Sequence, residues 1–287
     1  MRMSPVAVFF RTLSRTSALF LGAVFVFLHP PLQWSSPQPM ATTEITAMRP
    51  QHTIQELSSQ LTASDPAVRA RAACDLRERG DNAGAAIDAL IALLPDAAPL
   101  ERSVCGQNWW RWNPESRTTP GEQAASALVS IGSRAFDPLV RTLRHQSWIA
   151  RRNAAWALGA LDDVRAVQPL IPLMKDPEAP VREQTAWALG ALDDRAAVPA
   201  IITGLKDSDP RVRRQAAWAA GAIDDRRAVD QLVAILRDND RAVREQAAWA
   251  LGSIGDGRAV EPLLPLLKDQ EPAVRRQAAW AIGVLSK

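Results

Sequence analysis

The chain of 287 residues contains no tyrosine, only two cysteines and only three histidines. Cys74 and Cys105 are too few for a disulfide framework and too far apart for a zinc knuckle. His29, His52 and His145 are scattered, and no hydrolase elbow, phosphate loop or metal-ligand cluster accompanies them. Net charge is also missing where it would matter. The four arginines and one acid of the first 50 residues (Arg2, Arg11, Arg15, Arg49 and Glu44) carry the whole formal excess of +3, so residues 51–287 hold equal numbers of basic and acidic groups. A neutral body has no uniform field with which to attract phosphate, which argues against nucleic acid as a partner despite a pI near 9.3. With 47% apolar and 23% charged residues, collagenous, disordered and polytopic membrane chains are excluded as well.

One apolar run does occur. Ser17–Leu28 is free of charge, follows a stretch with three arginines and no acid, and is closed by His29, Pro30 and Pro31. A basic start and a short apolar core are the marks of an export signal. Twelve helical residues reach only ~18 Å across a hydrocarbon core of ~30 Å. The expectation is therefore a signal peptide or N-terminal anchor over 1–28, a Pro-rich linker over 29–51, and a location outside the cytoplasm, periplasmic or extracellular. The only membrane contact is through that N-terminus. No cysteine follows the run, so a lipid anchor is excluded, and the small residue that would suit cleavage is Ala41. A start at Met40 or Met48 would instead remove the leader and leave a cytosolic protein.

The body is periodic. Trp156, Trp187, Trp218, Trp249 and Trp280 recur every 31 residues, each followed three residues later by Gly159, Gly190, Gly221, Gly252 or Gly283. A fixed period of this length means a stacked array. Each unit reads as two helices. One carries the tryptophan, is taken as Val181–Leu192 in the second of these copies, and is entered through an acid followed by proline, as at Asp209-Pro210 and Glu271-Pro272. The other begins near Ala166 or Ala197, because Pro169, Pro199 and Pro262 are tolerable only in a first turn. Pro172 and Pro265, one turn deeper, should bend it. Neither helix can bury its apolar face alone, so the repeats must stack.

Taken together, VRxQAAWALGxLxDxRAVxPLxxLLKD resembles the HEAT-like repeats of the phycobilisome-lyase class, the short bacterial HEAT variety. The likeness is close over residues 121–287, and 65–95 fit as a degenerate copy with Cys74 in the tryptophan slot. It implies an all-α fold, a right-handed α–α superhelix of 31-residue two-helix repeats, over 52–287 with an insertion at 96–120. The family includes chromophore lyases, a metal hydroxylase and many binding scaffolds. The hydroxylases hold iron with repeated His-Glu pairs; this chain has none, so that activity does not carry over, and no cofactor or metal is expected.

At 100° per residue, Val181, Thr185, Ala188, Leu189 and Leu192 share the core face, with Arg182, Ala186 and Gly190 beside it. Trp187 lies on the remaining arc, which the resemblance makes the concave, ligand-facing surface. Gln184, Gln215, Gln246 and Gln277 each stand three residues before a tryptophan, and Asn153 stands in the same slot before Trp156. Residues three apart share a helix face, so amides and indoles would form parallel rows along a groove. Armadillo repeats hold extended peptides with such rows. The competing reading is that each indole packs sideways on the adjacent repeat. Alternating charges at Arg152, Glu183, Arg214, Glu245 and Arg276 suggest pairs between repeats. The series Arg151, Arg182, Arg213, Arg244, Arg275 and the turn acids Asp163, Asp194, Asp225, Asp256 suggest inter-repeat pairs or caps. In the insertion, Trp109, Trp110 and Trp112 would either cover one end of the groove or form a lid over the junction between degenerate repeats; Cys105 could there bridge to Cys74 if the chain is exported.

The expected function is a non-enzymatic scaffold that binds a protein or extended peptide along a groove lined by the five tryptophans, the four glutamines, Asn153 and the insertion's three indoles. The alternative is a phycobilin lyase-like or chaperone-like maturation factor, and a third reading is glycan binding by the tryptophan row.

Overall fold

A computed structural model describes residues 52–100 and 118–286, so the leader and linker expected over 1–51 lie outside the described residues. Over Thr53–Lys287 the chain forms one compact unit of paired helices. The early pairs are α1 (Ile54–Gln60) with α2 (Pro66–Arg79), α3 (Ile87–Leu93) with α4 (Pro120–Ile131), and α5 (Phe136–Thr142) with α6 (Trp148–Ala160). Four regular pairs follow: α7 (Val167–Leu170) with α8 (Ala179–Ala191), α9 (Val198–Gly204) with α10 (Pro210–Ile223), α11 (Val229–Ala234) with α12 (Arg241–Ile254), and α13 (Val260–Leu263) with α14 (Pro272–Leu285). The even-numbered members from α6 onward carry the repeated tryptophans and are called the Trp helices below; their partners are the Pro helices. Among the described residues the sole β-type pairing is an isolated bridge between Leu100 and Thr118.

Local chemistry explains the boundaries. Asp209, with Pro210 behind it, accepts from the Arg211 N–H and starts α10; Asp240 does the same for α12. Glu271 occupies the equivalent position before α14, but its carboxylate makes no cap bond. At the other end, Asp162, Asp193 and Asp224 adopt left-handed φ values of 55°, 49° and 53°, and Gly255 at 70° fills that place in the next copy. Aspartate is among the few side chains that tolerate this region. The acid that follows each, Asp163, Asp194, Asp225 or Asp256, accepts the backbone N–H two residues on and opens a 3₁₀ turn into the Pro helix. The turn acids are therefore caps, as one of the two sequence readings held.

The Pro helices change hand-hold where the deeper prolines fall. With Pro172 and Pro265 present, α7 and α13 stay α-helical for four residues and pass into 3₁₀ turns at Ile171 and Leu264; α9, which has only Pro199 in its first turn, runs to Gly204 as one helix. Proline removes an N–H and crowds the preceding turn, which favours the tighter 3₁₀ winding; α11, which has no proline, also passes into a 3₁₀ turn at Ile235–Arg237, so proline is not the sole cause.

The core runs without a break from Leu57 to Ala281. Val181, Thr185, Ala188, Leu189 and Leu192 are all buried, as their spacing requires, and the Thr185 hydroxyl donates to the Val181 carbonyl. Adjacent Trp helices pack directly on one another. Glycine permits it: a Cβ on Gly159 would stand 2.8 Å from Cα and Cβ of Ala188, and one on Gly190 2.8 Å from Cα of Ala219.

A second ladder ties the turns between repeats. Arg182 donates from Nε and Nη2 to both carboxylate oxygens of Asp207, at 2.7 and 2.8 Å, and from Nη1 to the carbonyls of Asp176 and Pro177. Arg151, Arg213 and Arg244 repeat this two-pronged grip on Asp176, Asp238 and Asp269. Arg275 makes the backbone bonds, to Asp269 and Gln270. The arginine series thus pairs across successive turns, with acids from the Pro-helix ends rather than with the capping acids.

Candidate functional site

The tryptophan row packs across the junctions between repeats, and its rings are not fully buried. From Trp187 onward each indole reaches back over the glycine of the preceding repeat. Cζ3 of Trp187, Trp218, Trp249 and Trp280 would lie 3.0, 2.8, 2.7 and 2.5 Å from a Cβ on Gly159, Gly190, Gly221 and Gly252. Trp156 and Trp187 also stack, with ring centroids 6.5 Å apart and planes 14° from parallel. Yet Trp156, Trp187, Trp218 and Trp249 are only half-buried, and Trp280 is exposed. One edge of each ring fastens a junction while the rest faces outward.

Beside the rings stand the amides. Gln184, Gln215, Gln246 and Gln277 are half-buried, and among the described residues none of the four side chains makes a hydrogen bond. A half-buried primary amide has two donors and an acceptor to satisfy, so a row of four is a set of ready contacts for backbone groups. Asn153 stands apart. It is 3% exposed, donates from Nδ2 to the Leu94 carbonyl at 2.9 Å and accepts from Arg152, so its amide is committed internally and the available row begins at Gln184.

Charge on this face is only partly paired. Arg214 approaches Glu183 at 3.6 Å and Arg152 bonds Glu122 at 2.9 Å, whereas Glu245 has no ion pair among the described residues. Arg152 also lies over the Trp148 ring, 5.7 Å from its centroid. Burial pushes the Glu183 carboxyl above its ordinary value, against the pull of Arg211, Arg214 and Arg152. From sequence Glu183 reads only as a stacking contact, because its place in the repeat gives no sign of its burial.

The root of the insertion is well defined. Leu100 N–H donates to the Thr118 carbonyl at 2.8 Å and Gly121 N–H to the Asp96 carbonyl at 3.0 Å, so the two ends of the loop are held together. Arg69 binds Asp96 at 2.6 Å, placing the loop at the same inter-repeat turn that Asp176 and Asp207 occupy later. Trp109, Trp110, Trp112 and Cys105 lie outside the described residues. Cys74 is buried and disulfide-bonded. Among the described residues no group of His, Cys, Asp and Glu is arranged to hold a metal ion, and no helix is long and apolar enough to cross a membrane.

The HEAT-repeat family matches residues 121–186, 167–250 and 229–286. No curated protein matches the chain. Among solved structures it is similar to the CpcE–CpcF complex of phycocyanin lyase from Nostoc sp. PCC7120, at 26% identity over 88% of this chain and 99% of that one, with a TM-score of 0.45. It is also similar in fold to Kap95p bound to RanGDP (14% identity, 85% and 38% covered, TM-score 0.59) and to a Kap121p mutant (16%, 81% and 29%, 0.61).

Proposed function

Since the chain belongs to the HEAT-repeat family, we propose that it is a non-enzymatic scaffold that holds a protein segment in extended conformation along the face formed by its Trp helices. The observation that carries this reading is the row of Gln184, Gln215, Gln246 and Gln277, half-buried and without hydrogen bonds among the described residues, beside indoles that keep one side exposed. An extended peptide offers unpaired N–H and C=O groups along its whole length, which is what a row of amides matches. Aromatic faces anchor its side chains, and tryptophan is the residue most enriched at binding hot spots. Glu245, which has no ion pair among the described residues, adds an acidic position that suits a basic side chain on the partner.

We extend the reading to location: the protein works outside the cytoplasm, released from or anchored by its leader. The basic start and the apolar run Ser17–Leu28 support this. Cell fractionation with N-terminal sequencing tests the location, and an intact N-terminus in the cytosol would contradict it.

The binding surface is tested by placing a photo-crosslinking residue at Gln215, on the Trp-helix face, and separately at Thr203, exposed on the Pro helix α9. A discrete adduct from Gln215 that is missing from Thr203 is the expected result. Equal labelling from both positions would contradict the assignment.

A further inference from the structure

The junction between α4 and α6 departs from the later ones. Where Gly159, Gly190, Gly221 and Gly252 admit the next Trp helix, α4 carries Val129. A Cβ on Gly159 or Gly190 would stand 2.8 Å from the Cα of the alanine on the following helix, and valine has that Cβ and two methyls besides. It therefore holds α6 farther from α4 than α8 stands from α6. The turn after α4, Gly132–Ala135, is also one residue shorter than the turn over 162–166, and Phe136 opens α5 where Val167, Val198 and Val229 open the later Pro helices.

These departures meet in one place. Val129, Phe136, Ala160 and Leu161 line a cleft of about 180 Å³ at the turn edge of this junction, and Ser133 and Asp163 supply its polar wall. Leu161 registers the gap: it is half-buried, whereas its counterparts Leu192, Ile223 and Ile254 are buried. On the same turn Val164 is 45% exposed, at the position that Arg195, Arg226 and Gly257 hold in later copies. An apolar side chain thus stands in the open beside an apolar cleft.

The lining defines what fits. Asp163 and Arg165 satisfy one another: Arg165 donates from Nε and Nη2 to the Asp163 carboxylate, and its guanidinium lies 4.3 Å over the Phe136 ring. Neither charge is left to hold an ion, so an occupant must be uncharged. The Ser133 hydroxyl, by contrast, makes no hydrogen bond among the described residues and offers one to a polar atom in the cleft. Size narrows the choice further. An apolar cavity of ~150 Å³ holds a benzene ring, whereas drug-sized ligands occupy ~300 Å³ or more.

We propose that the α4–α6 cleft is a binding site for one uncharged aromatic ring carrying a single hydroxyl or N–H, of the phenol or indole class. The ring lies against Val129, Phe136 and Leu161, and its polar atom bonds to the Ser133 hydroxyl. The site precedes the amide row, which begins on α8, and does not depend on it.

Methyl NMR of the full chain, titrated with phenol and with toluene, tests this. Phenol is expected to move the Val129 and Leu161 methyl signals with a dissociation constant of about 0.1–1 mM, within reach of so small a ligand. Ala160→Leu fills the cleft from a position that holds Ala191, Ser253 and Val284 in other copies, so the melting temperature should hold while both ligands are lost. Ser133→Ala should weaken phenol about fivefold, the effect of one hydrogen bond, and leave toluene unchanged. N-acetyl-tyrosinamide presents the same ring on a peptide: binding like that of phenol means that the ring arrives as a partner's side chain, and exclusion beside bound phenol means a free compound. Methyl signals that phenol does not move, an Ala160→Leu variant that binds it as the wild type does, or a Ser133→Ala variant that affects phenol and toluene alike would overturn the proposal.

Discussion

Cζ3 of Trp218 lies over Gly190 of the preceding repeat, 2.8 Å from where a Cβ would stand, and Gly190 is in turn backed by Ala219. Glycine there sets the distance between neighbouring Trp helices, and the same relation recurs at Gly159, Gly221 and Gly252. Alanine would gain ~1 kcal/mol in helix propensity but would overpack the junction at a cost of ~1–3 kcal/mol. Gly190→Ala and Gly221→Ala are therefore expected to lose about 1 kcal/mol. Gly283→Ala, with open space around its Cβ, should gain up to about 1 kcal/mol. Denaturant melts of the three variants check the contrast.

Truncating an indole removes a half-buried ring, not a fully buried one. Trp218→Ala is expected to lose about 2 kcal/mol of stability, below the ~3–5 kcal/mol of a core aromatic and well above an ordinary surface change. Because repeat arrays can unfold in stages, the shift of the whole melting curve is the quantity to compare.

Arg182 anchors two consecutive turns at once, through Asp207 and through the carbonyls of Asp176 and Pro177. Arg182→Ala leaves a mostly buried carboxylate unpaired and should cost about 2 kcal/mol. Arg182→Lys should recover little, since an ammonium cannot reproduce the planar two-pronged grip. The same melts measure both.

Acid should weaken the ladder and the caps together. Hydrogen bonds from Arg211 and Arg227 hold Asp209 and Asp225 at about 2, below the ordinary 3.8. At Asp207 burial pulls upward, but the bonds from Arg182 and the Asp209 backbone prevail and the group is lowered. A carboxylate with a depressed folded pKa adds stability above its unfolded value and loses it as pH falls through the folded one. Stability from these groups should be steady from pH 7 to about 5 and decline between about pH 4 and 2. Glu183 runs the other way: its raised pKa means that its protonated form fits the fold better, so it offsets part of the decline. Thermal melts across that range check the direction.

Much of this architecture is legible in the sequence because the repeat keeps its phase. The Trp-to-Trp period places the Trp helices; Pro172 and Pro265, expected to bend their helices, fall where α-helix gives way to 3₁₀, a change that α11 makes at Ile235 without proline. The pairing of Arg182 with Asp207 is not legible from helix periodicity, since the partners lie 25 residues apart on different elements. Its trace is the recurring basic-Asp dipeptide at Lys175-Asp176, Lys206-Asp207, Arg237-Asp238 and Lys268-Asp269. Asn153 shares the glutamine slot but is buried, because the neck of the insertion brings the Leu94 carbonyl to its amide. The spacing of the tryptophans leaves groove and junction open, and the packing of Trp187, Trp218, Trp249 and Trp280 on the preceding glycines is visible only in the structure.

The claim on which the account turns is that the glutamine row binds an extended peptide backbone, and an affinity comparison reaches it most directly. Peptides selected from a random library on the full chain are measured against the wild type and against Gln215→Ala/Gln246→Ala, with stability recorded in parallel. Removing two amides that have no internal partner should leave stability within about 0.5 kcal/mol, and losing two hydrogen bonds should weaken peptide binding at least tenfold. Unchanged affinity in the double variant, or a stability loss that accounts for the weaker binding, would contradict the claim.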